Sequence, residues 1–195
     1  MTEPKKDHVG GWHRKMGAMD RMRGLAKYTD DLELPGMLHA KIVRSPHAHA
    51  RIVSIDASEA MALDGVEAVI TGGDMPIPYG IIPWAQGENA LAVDKGLYAG
   101  DGVACVAAID EDTANEAVRR VKVEYEVLPA IFDPAEALAS DVQINPYSNK
   151  GNLSKKVLLE FGDVDGALAG SALVVEGEYF FEGTTHAAIE PHCAL

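Results

Sequence analysis

Short apolar runs recur along the chain and predict a series of strands. Met37 to Arg44 and Ala50 to Ile55 alternate between apolar and polar residues, and Val66 to Ile70 is a short buried run. Val103 to Ile109 is almost wholly apolar, which is typical of a central strand covered on both faces. Val121 to Val127 alternates strictly, as a half-buried strand does. The pattern predicts a domain rich in short strands.

Helical patterns lie between these strands. Asp110 or Asp112 is the expected N-cap of a helix with apolar residues on one face, namely Ala114, Ala117, Val118 and Val121. Asp56 is the expected N-cap of a shorter helix, with Glu59 completing a capping box. Strand, helix and strand within 103–127 indicate a βαβ unit, with a right-handed crossover if the strands are parallel.

The rest of the chain is less regular. Residues 75–96 form a long connection with local apolar content, expected to be partly ordered through Tyr79, Ile81, Ile82 and Trp84. Pro134 begins a short helix, and the polar residues after it resemble a surface linker. Val157 to Phe161 and Leu173 to Phe181 are predicted strands, with a short helix between them.

The formal net charge is -13, which disfavours nucleic acid as a partner because phosphate binding needs clustered lysine and arginine. The basic residues that do cluster lie near the N-terminus and are interpreted as a solvated entry segment: Lys5, Lys6, His13, Arg14, Lys15, Arg21, Arg23 and Lys27. The alternative is a strip that docks on an acidic partner subunit.

The chain is expected to be soluble and cytoplasmic. No apolar run approaches the roughly 18 residues of a membrane span, and the first residues lack the apolar stretch of a secretory signal. Cys105 lies in an apolar run and is interpreted as a small buried hydrophobe. Cys193 lies far away in sequence, so neither a disulfide framework nor a metal knuckle is indicated.

The motifs that would indicate a particular chemistry are missing from the sequence. There is no GxGxxG, no GxxxxGK[ST] and no GxSxG, so nucleotide loops and nucleophile-elbow hydrolases are unsupported. His47 and His49 would share a face on a strand, but two ligands are too few for a metal site. The favoured interpretation is a turn whose histidines hydrogen-bond backbone or partner groups.

The C-terminal histidines form a second candidate constellation. His186, Glu190 and His192 have the spacing HxxxExH, and on a helix the first two would share a face. Pro191 makes a helix doubtful, so a zinc site is the weaker interpretation and a structural or channel role the stronger one. The acidic run 110–112 is interpreted as a solvated helix start.

These motifs do not indicate a function, but a family resemblance does. Residues 24–56, 63–76, 91–138 and 161–195 resemble the start of the large subunit of molybdenum hydroxylases, the family of xanthine dehydrogenase, aldehyde oxidase and carbon monoxide dehydrogenase. The segments RSPHAHARI and VKVEYEVLPA carry the most specific likeness. The resemblance implies an α/β (α+β) fold: an α/β-hammerhead domain with a mixed sheet, followed by the first strands of a molybdopterin-binding domain.

The resemblance also implies domain boundaries. These are a flexible segment at 1–19, the α/β hammerhead at 20–134, a linker at 135–156, and at 157–195 the truncated start of the molybdopterin-binding domain. Within the family, the segment PIPYGIIPWAQGENALAVDKGLYAGDGVA is most similar to the 4-hydroxybenzoyl-CoA reductase subgroup, with an aldehyde or purine hydroxylase as the alternative. The chain departs from the family where Gly102 replaces a usual proline and Ala99 a frequent arginine, and at residues 21–24.

The function implied is that of a supporting piece of a larger enzyme. The family's pterin loops and base glutamate lie downstream of this stretch, so no catalytic, cofactor or metal residue is carried over and the isolated chain is expected to be inactive. The holoenzyme would hold molybdopterin, FAD and iron–sulfur clusters, with the remaining molybdopterin-binding part, a flavin subunit and an iron–sulfur subunit as partners. A homodimer is also compatible with the sequence. Residues proposed for an interface or channel are Arg44, His47, His49, His186 and Glu190.

Two functions of other classes remain open. One is a stand-alone hammerhead binding module, for which the segment 172–195 would have to pair within the chain or across a homodimer. The other is a small metal enzyme that uses His47, His49, His186 and His192.

Overall fold

Residues 39–127 form two antiparallel sheets. The computed structural model describes residues 11, 13–80, 87–144, 151–188 and 190–195. Contacts divide the chain into a larger unit, Gly36–Val174, and a smaller one made of Met1–Pro35 and Val175–Leu195. The strands described in the larger unit are β1 (His39–Arg44), β2 (Ala50–Asp56), β3 (Val66–Thr71), β4 (Lys95–Gly96), β5 (Gly102–Ala108) and β6 (Lys122–Val127).

Each of the two sheets has three strands, and each has its own central strand. In the first sheet the strand order is β1-β5-β3, so β5 is the central strand that its apolar run predicted. In the second sheet the order is β4-β2-β6. Ile42 and Ile70 both pair with Cys105, and Val43 pairs with Ala104, which fixes the register of the first sheet.

The helices lie before, between and after these strands in the chain. Those described are α1 (Ala18–Met22), α2 (Ser58–Met61), α3 (Glu111–Arg120), α4 (Pro134–Ala139) and α5 (Val164–Ala169), with 3₁₀ turns at Thr29–Asp31 and Gly72–Asp74. Helix α3 begins as predicted, because the Asp110 carboxylate accepts the Thr113 N–H at 2.7 Å. Asp112 lies within the first turn, so the alternative cap is wrong. No helix among the described residues is long and apolar enough to cross a membrane.

The core lies where α3 packs on the first sheet. Its buried members are small, which lets helix and sheet approach closely: Val43, Ala60, Ala104, Val106, Ala117 and Val121. Val103 and Val106 are the largest side chains that are fully buried. The predicted apolar face of α3 is confirmed in Ala114 and Ala117, which are completely buried.

Two predictions about connections were wrong. Strand β6, which follows α3, pairs with β2 in the second sheet, whereas β5 lies in the first sheet. Strands β5 and β6 therefore do not form a parallel crossover through α3. A mixed sheet was expected, whereas the described residues form two sheets in which every pair of neighbouring strands is antiparallel. The physical reason is that β6 has one buried face and finds its partner in β2, whereas β5 is already flanked on both edges.

The start of α2 also differs from the prediction. Asp56 is the last residue of β2, and its carboxylate accepts the Ser58 N–H at 2.9 Å. Ala57 is therefore the N-cap, without a side-chain cap. Glu59 does not close a capping box, because its carboxylate pairs with Lys122 across the gap to β6.

The predicted strands at 157–161 and 173–181 form no ladder among the described residues, and every residue in both segments is exposed. A strand is held by hydrogen bonds to a neighbouring strand and by burial, and here neither is supplied. Other predicted features fall outside the described residues, namely 1–10 and residue 12 of the N-terminal segment, and Ile81, Ile82 and Trp84 of the long connection. Tyr79 is ordered by two backbone hydrogen bonds with Glu88, at 2.6 and 2.9 Å.

Candidate functional site

The corner between β1 and β2 is anchored by Ser45. This residue is 2% exposed, its N–H donates to Asp101 O at 2.8 Å, and its carbonyl accepts the Gly100 N–H at 2.8 Å. The Ser45 hydroxyl oxygen also accepts the His47 N–H at 3.2 Å. These bonds close the turn that was predicted around the two histidines, and they fix where Arg44, His47 and His49 project.

Arg44 and His47 take separate positions at this corner. The Arg44 Nη1 group donates to Gly100 O at 2.8 Å, which ties the end of β1 to the turn before β5. The His47 ring packs edge-to-face on Tyr125, with centroids 5.1 Å apart and planes at 74°. Burial raises the pKa of the Tyr125 phenol above its ordinary value.

His49 is the buried member of the group, with 4% of its surface exposed. Its Nδ1 lies 2.7 Å from Pro129 O, and a carbonyl can only accept, so Nδ1 must carry the hydrogen. The Nε2 atom then presents a lone pair, which lies 3.1 Å from Lys95 Nζ and accepts from it. Both ring nitrogens are engaged, which agrees with the predicted role of a turn histidine bonded to the backbone.

Lys95 joins three parts of the larger unit. It lies in β4, bonds His49 before β2, and its Nζ also donates to Gln143 O at 3.3 Å. Burial lowers the pKa of Lys95, and the nearby Arg51 cation lowers it further. This lysine is therefore held by neutral acceptors in a partly desolvated place, unlike a lysine in a surface ion pair.

The segment after α4 is organised by a single side chain. The Asn152 Nδ2 group donates to Ala137 O at 2.9 Å and to Val142 O at 2.8 Å, while its Oδ1 accepts the Ile144 N–H at 3.0 Å. Asn152 thus ties the end of α4 to residues 142–144, next to the carbonyl of Gln143 that Lys95 reaches. Part of the stretch expected to be a surface linker is ordered in this way.

A cleft of about 450 Å³ opens beside this corner. Its lining carries charges of both signs, because it includes Arg44 and Lys95 as well as Glu88, Asp94 and Asp101. The other lining residues are Ile42, Tyr79, Gly87, Asn89, Ala90, Ala92, Val93, Leu97, Tyr98 and Gly102. Burial, followed by the charge of Asp101, raises the pKa of the Tyr98 phenol. A mixed, half-open lining of this kind suits polar contacts with another molecule better than a tight apolar ligand.

The remaining predicted residues lie in the tail. His186, Glu190 and His192 are exposed, and none of them lies in a helix, so the helical ligand pair required for the zinc interpretation is not formed. Within the ranges that the structure describes, no three His, Cys, Asp or Glu side chains come close enough to hold a metal. With His49 engaged at both nitrogens, the described residues do not provide a donor set that fits a molybdenum or zinc ion.

Sequence reasoning missed Lys95 and Asn152. Lys95 meets His49 across 46 residues and Gln143 across 48. Asn152 reaches back 15 residues to Ala137. No periodicity or local motif encodes contacts of this length. The only hint was that Lys95 lies in the LAVDKG segment, one of those that carried the family resemblance.

Comparison with known proteins identifies the family. Residues 23–129, which include both sheets and α3, match the family described as aldehyde oxidase and xanthine dehydrogenase, a/b hammerhead domain. The chain belongs to this family. The predicted α/β-hammerhead fold and molybdenum hydroxylase family are thereby confirmed.

Curated relatives and solved structures agree with this assignment. The chain is 38% identical to the 6-hydroxypseudooxynicotine dehydrogenase complex subunit gamma of Paenarthrobacter nicotinovorans, covering 89% of this chain and 23% of that one. It is 39% identical to the nicotinate dehydrogenase large molybdopterin subunit of Eubacterium barkeri, covering 93% and 42%. Among structures, CO dehydrogenase from Oligotropha carboxidovorans matches with a TM-score of 0.60 and 41% identity, over 68% of this chain and 17% of that one.

Aldehyde oxidoreductase from Desulfovibrio gigas gives a TM-score of 0.61 at 32% identity, over 68% of this chain and 16% of that chain. The hammerhead chain therefore spans less than half the length of each of these relatives. The likeness therefore covers only part of each of these longer proteins.

Proposed function

We propose that this chain serves as the N-terminal supporting portion of the molybdenum-binding large subunit of a molybdenum hydroxylase and is not catalytic alone. Relatives with matching sequence include the nicotinate dehydrogenase large molybdopterin subunit and the xanthine dehydrogenase molybdenum-binding subunit of Escherichia coli O157:H7. In this proposal the hammerhead is a rigid support, residues 135–156 connect it onward, and residues 157–195 begin the molybdopterin-binding domain.

The observation that carries the proposal is the exposed apolar surface of residues 157–181. Phe161 is 82% exposed, and Tyr179, Phe180 and Phe181 are exposed to between 86% and 94%. Large exposed apolar areas mark sites of interaction with another protein surface. The stand-alone module requires this tail to pair with itself or a second copy, and its described residues form no ladder within the chain.

The finer assignment is to the 4-hydroxybenzoyl-CoA reductase subgroup, which removes the ring hydroxyl of 4-hydroxybenzoyl-CoA to give benzoyl-CoA in anaerobic aromatic degradation. It rests on the proline- and glycine-rich segment at residues 76–104. A xanthine or aldehyde dehydrogenase-type hydroxylase is the second candidate, favoured by relatives such as the xanthine dehydrogenase subunit at 38% identity over 191 residues. In either case molybdopterin would be held by the downstream part, and FAD and iron–sulfur clusters by partner subunits.

Co-expression tests the assembly. The full chain would be produced with a downstream molybdopterin-binding chain of this family and with its flavin and iron–sulfur subunits, and association measured by size exclusion. We expect one complex containing all the chains. Replacing Tyr179 and Phe181 with serine should weaken it, because both apolar rings lie in the exposed segment.

A matched control is Arg119→Ser on the solvent side of α3, which should leave association unchanged. Elution of the chain alone, with or without its partners present, would refute the proposal, and a stable homodimer would favour the independent module. Turnover of 4-hydroxybenzoyl-CoA against xanthine and nicotinate by the purified complex separates the two substrate classes.

A further inference from the structure

The amine of Lys95 lies in surroundings unlike those of Lys122 and Lys41. Lys122, on the other outer strand of the second sheet, forms an ion pair with Glu59 that raises its pKa. Lys41 forms an ion pair with Glu111 at 2.6 Å. Lys95 instead bonds a neutral histidine nitrogen and a backbone carbonyl, and burial lowers its pKa. A larger fraction of its amine is therefore unprotonated near neutral pH.

His49 supplies the second element of a reactive site. Because Pro129 O fixes the hydrogen on Nδ1, the Nε2 lone pair points at the Lys95 amine from 3.1 Å. A base at this distance can take the proton that an amine must lose when it attacks a carbonyl. The arrangement of nucleophile, base and a third group that orients the base is complete within Lys95, His49 and Pro129.

Access is provided by the cleft. Lys95 is only partly buried, and it lines the half-open cleft of about 450 Å³, a volume that can hold a small acyl donor. Arg44 lies on the same lining, so a polar carbonyl compound would meet hydrogen-bond donors there. His49 is 4% exposed and is not among the residues that line the cleft, so the amine is the group that the cleft presents to an acyl donor.

We infer that Lys95 is a site of covalent acylation by small acyl thioesters, with His49 as the base. In the step, the Lys95 nitrogen bonds the thioester carbonyl carbon, the carbon–sulfur bond breaks, and a thiol leaves. The amine proton passes to His49 Nε2 and then to solvent, and no oxidant or reductant is needed. The product amide has a single N–H, so it can keep only one of the bonds to His49 and Gln143, and the junction between β4 and residues 142–144 loosens.

Site-resolved acylation kinetics test the inference. The full-length chain would be treated at pH 7.5 with the acetyl thioester of N-acetylcysteamine, and the rate at each lysine measured by peptide mass spectrometry. Lys95 should react several-fold faster than Lys122, and its rate should reach half-maximum at a lower pH. His49→Gln should bring the Lys95 rate down towards that of Lys122, whereas His47→Gln should leave it unchanged.

Equal rates at Lys95 and Lys122 in the unaltered protein would overturn the inference, and this comparison needs no variant to fold. An unchanged Lys95 rate in folded His49→Gln, with folding checked by circular dichroism, would remove the histidine from the mechanism and also overturn it. Neither outcome depends on assembly with molybdopterin-binding partners, so a failure here is separate from a failure of the proposed function.

Discussion

Replacing Gly72 with alanine tests how tightly the cleft-forming loop is held against the first sheet. Gly72 is buried in the turn after β3, and a Cβ built on it would lie 2.3 Å from Ala92 O and 2.6 Å from Ala92 C. The atoms it would meet are backbone, so a side-chain rotation cannot relieve the contact. Its φ lies outside the left-handed region, so the constraint is the close approach of two backbones and not the local conformation.

The expected loss of stability follows from that distance. A carbon–oxygen contact needs more than about 3.2 Å, so the two segments must separate by roughly 1 Å. Overpacking of this kind destabilises by about 1–3 kcal/mol. The reduced freedom of the unfolded chain offsets about 0.4–1 kcal/mol of that. We expect a net loss of about 1–2 kcal/mol, which lowers Tm by about 2–8 °C for a chain of this size.

Gly73→Ala is the matched control, one residue away. Its Cβ would lie 3.6 Å from Thr71 Oγ1, an ordinary contact, and the change should stay within about 0.5 kcal/mol. Thermal and urea denaturation followed by circular dichroism measure both variants. Hydrogen exchange at the Ala92 amide, which donates to Gly102 O at 2.7 Å, should accelerate only in Gly72→Ala. Equal stability of the two variants would refute the argument from backbone approach.

Other substitutions examine the remaining parts of the larger unit. Asn152→Ala removes three hydrogen bonds, each of which contributes about 0.5–1.5 kcal/mol. Urea denaturation should therefore show that the free energy of unfolding falls by roughly 1.5–4.5 kcal/mol. A fall of less than about 0.5 kcal/mol would contradict the role of Asn152 in holding α4 to residues 142–144. Val106→Ala leaves a cavity in the core and should destabilise by about 2 kcal/mol, whereas Val53→Ala, at a 55% exposed site, should change stability by less than about 0.5 kcal/mol. The bond from Thr113 lowers the pKa of Asp110, so its contribution is present at neutral pH and is lost as the pH falls below its ordinary value of 3.8. Asp110→Asn should keep the cap but show a shallower loss of stability on acidification, and parallel acid titration curves would count against this.

The sequence predicted the elements whose patterns are local. The run from Val103 to Ile109 is apolar because β5 is the middle strand of its sheet, and Ala114 and Ala117 recur at helical spacing because α3 covers that sheet. Asp110 was one of the two expected caps because a carboxylate before a helix has one obvious partner, the N–H three residues on. Each of these predictions needed only information within about one turn or one strand.

Pairing between distant segments could not be predicted in the same way. The alternation of residues 121–127 fixes which face of β6 is buried, but not that β2 is its neighbour. The same limit applies to His49. Its turn was predicted from the residues beside it, whereas its bond to Lys95 depends on the pairing of β2 with β4, which are distant in sequence. The mistaken crossover arose at this level, since strand, helix and strand in sequence order need not share one sheet.

The segment 173–181 was predicted to be a strand, but a sequence pattern cannot show whether a strand has a neighbour to pair with. Its apolar residues fall on both faces of an extended chain, with Leu173, Val175, Tyr179 and Phe181 on one and Val174 and Phe180 on the other. Such a strand becomes stable only when a sheet pairs with its edges and other layers cover both faces. Within the described residues none of this is present, so a strand pattern that can be recognised in the sequence is not formed there.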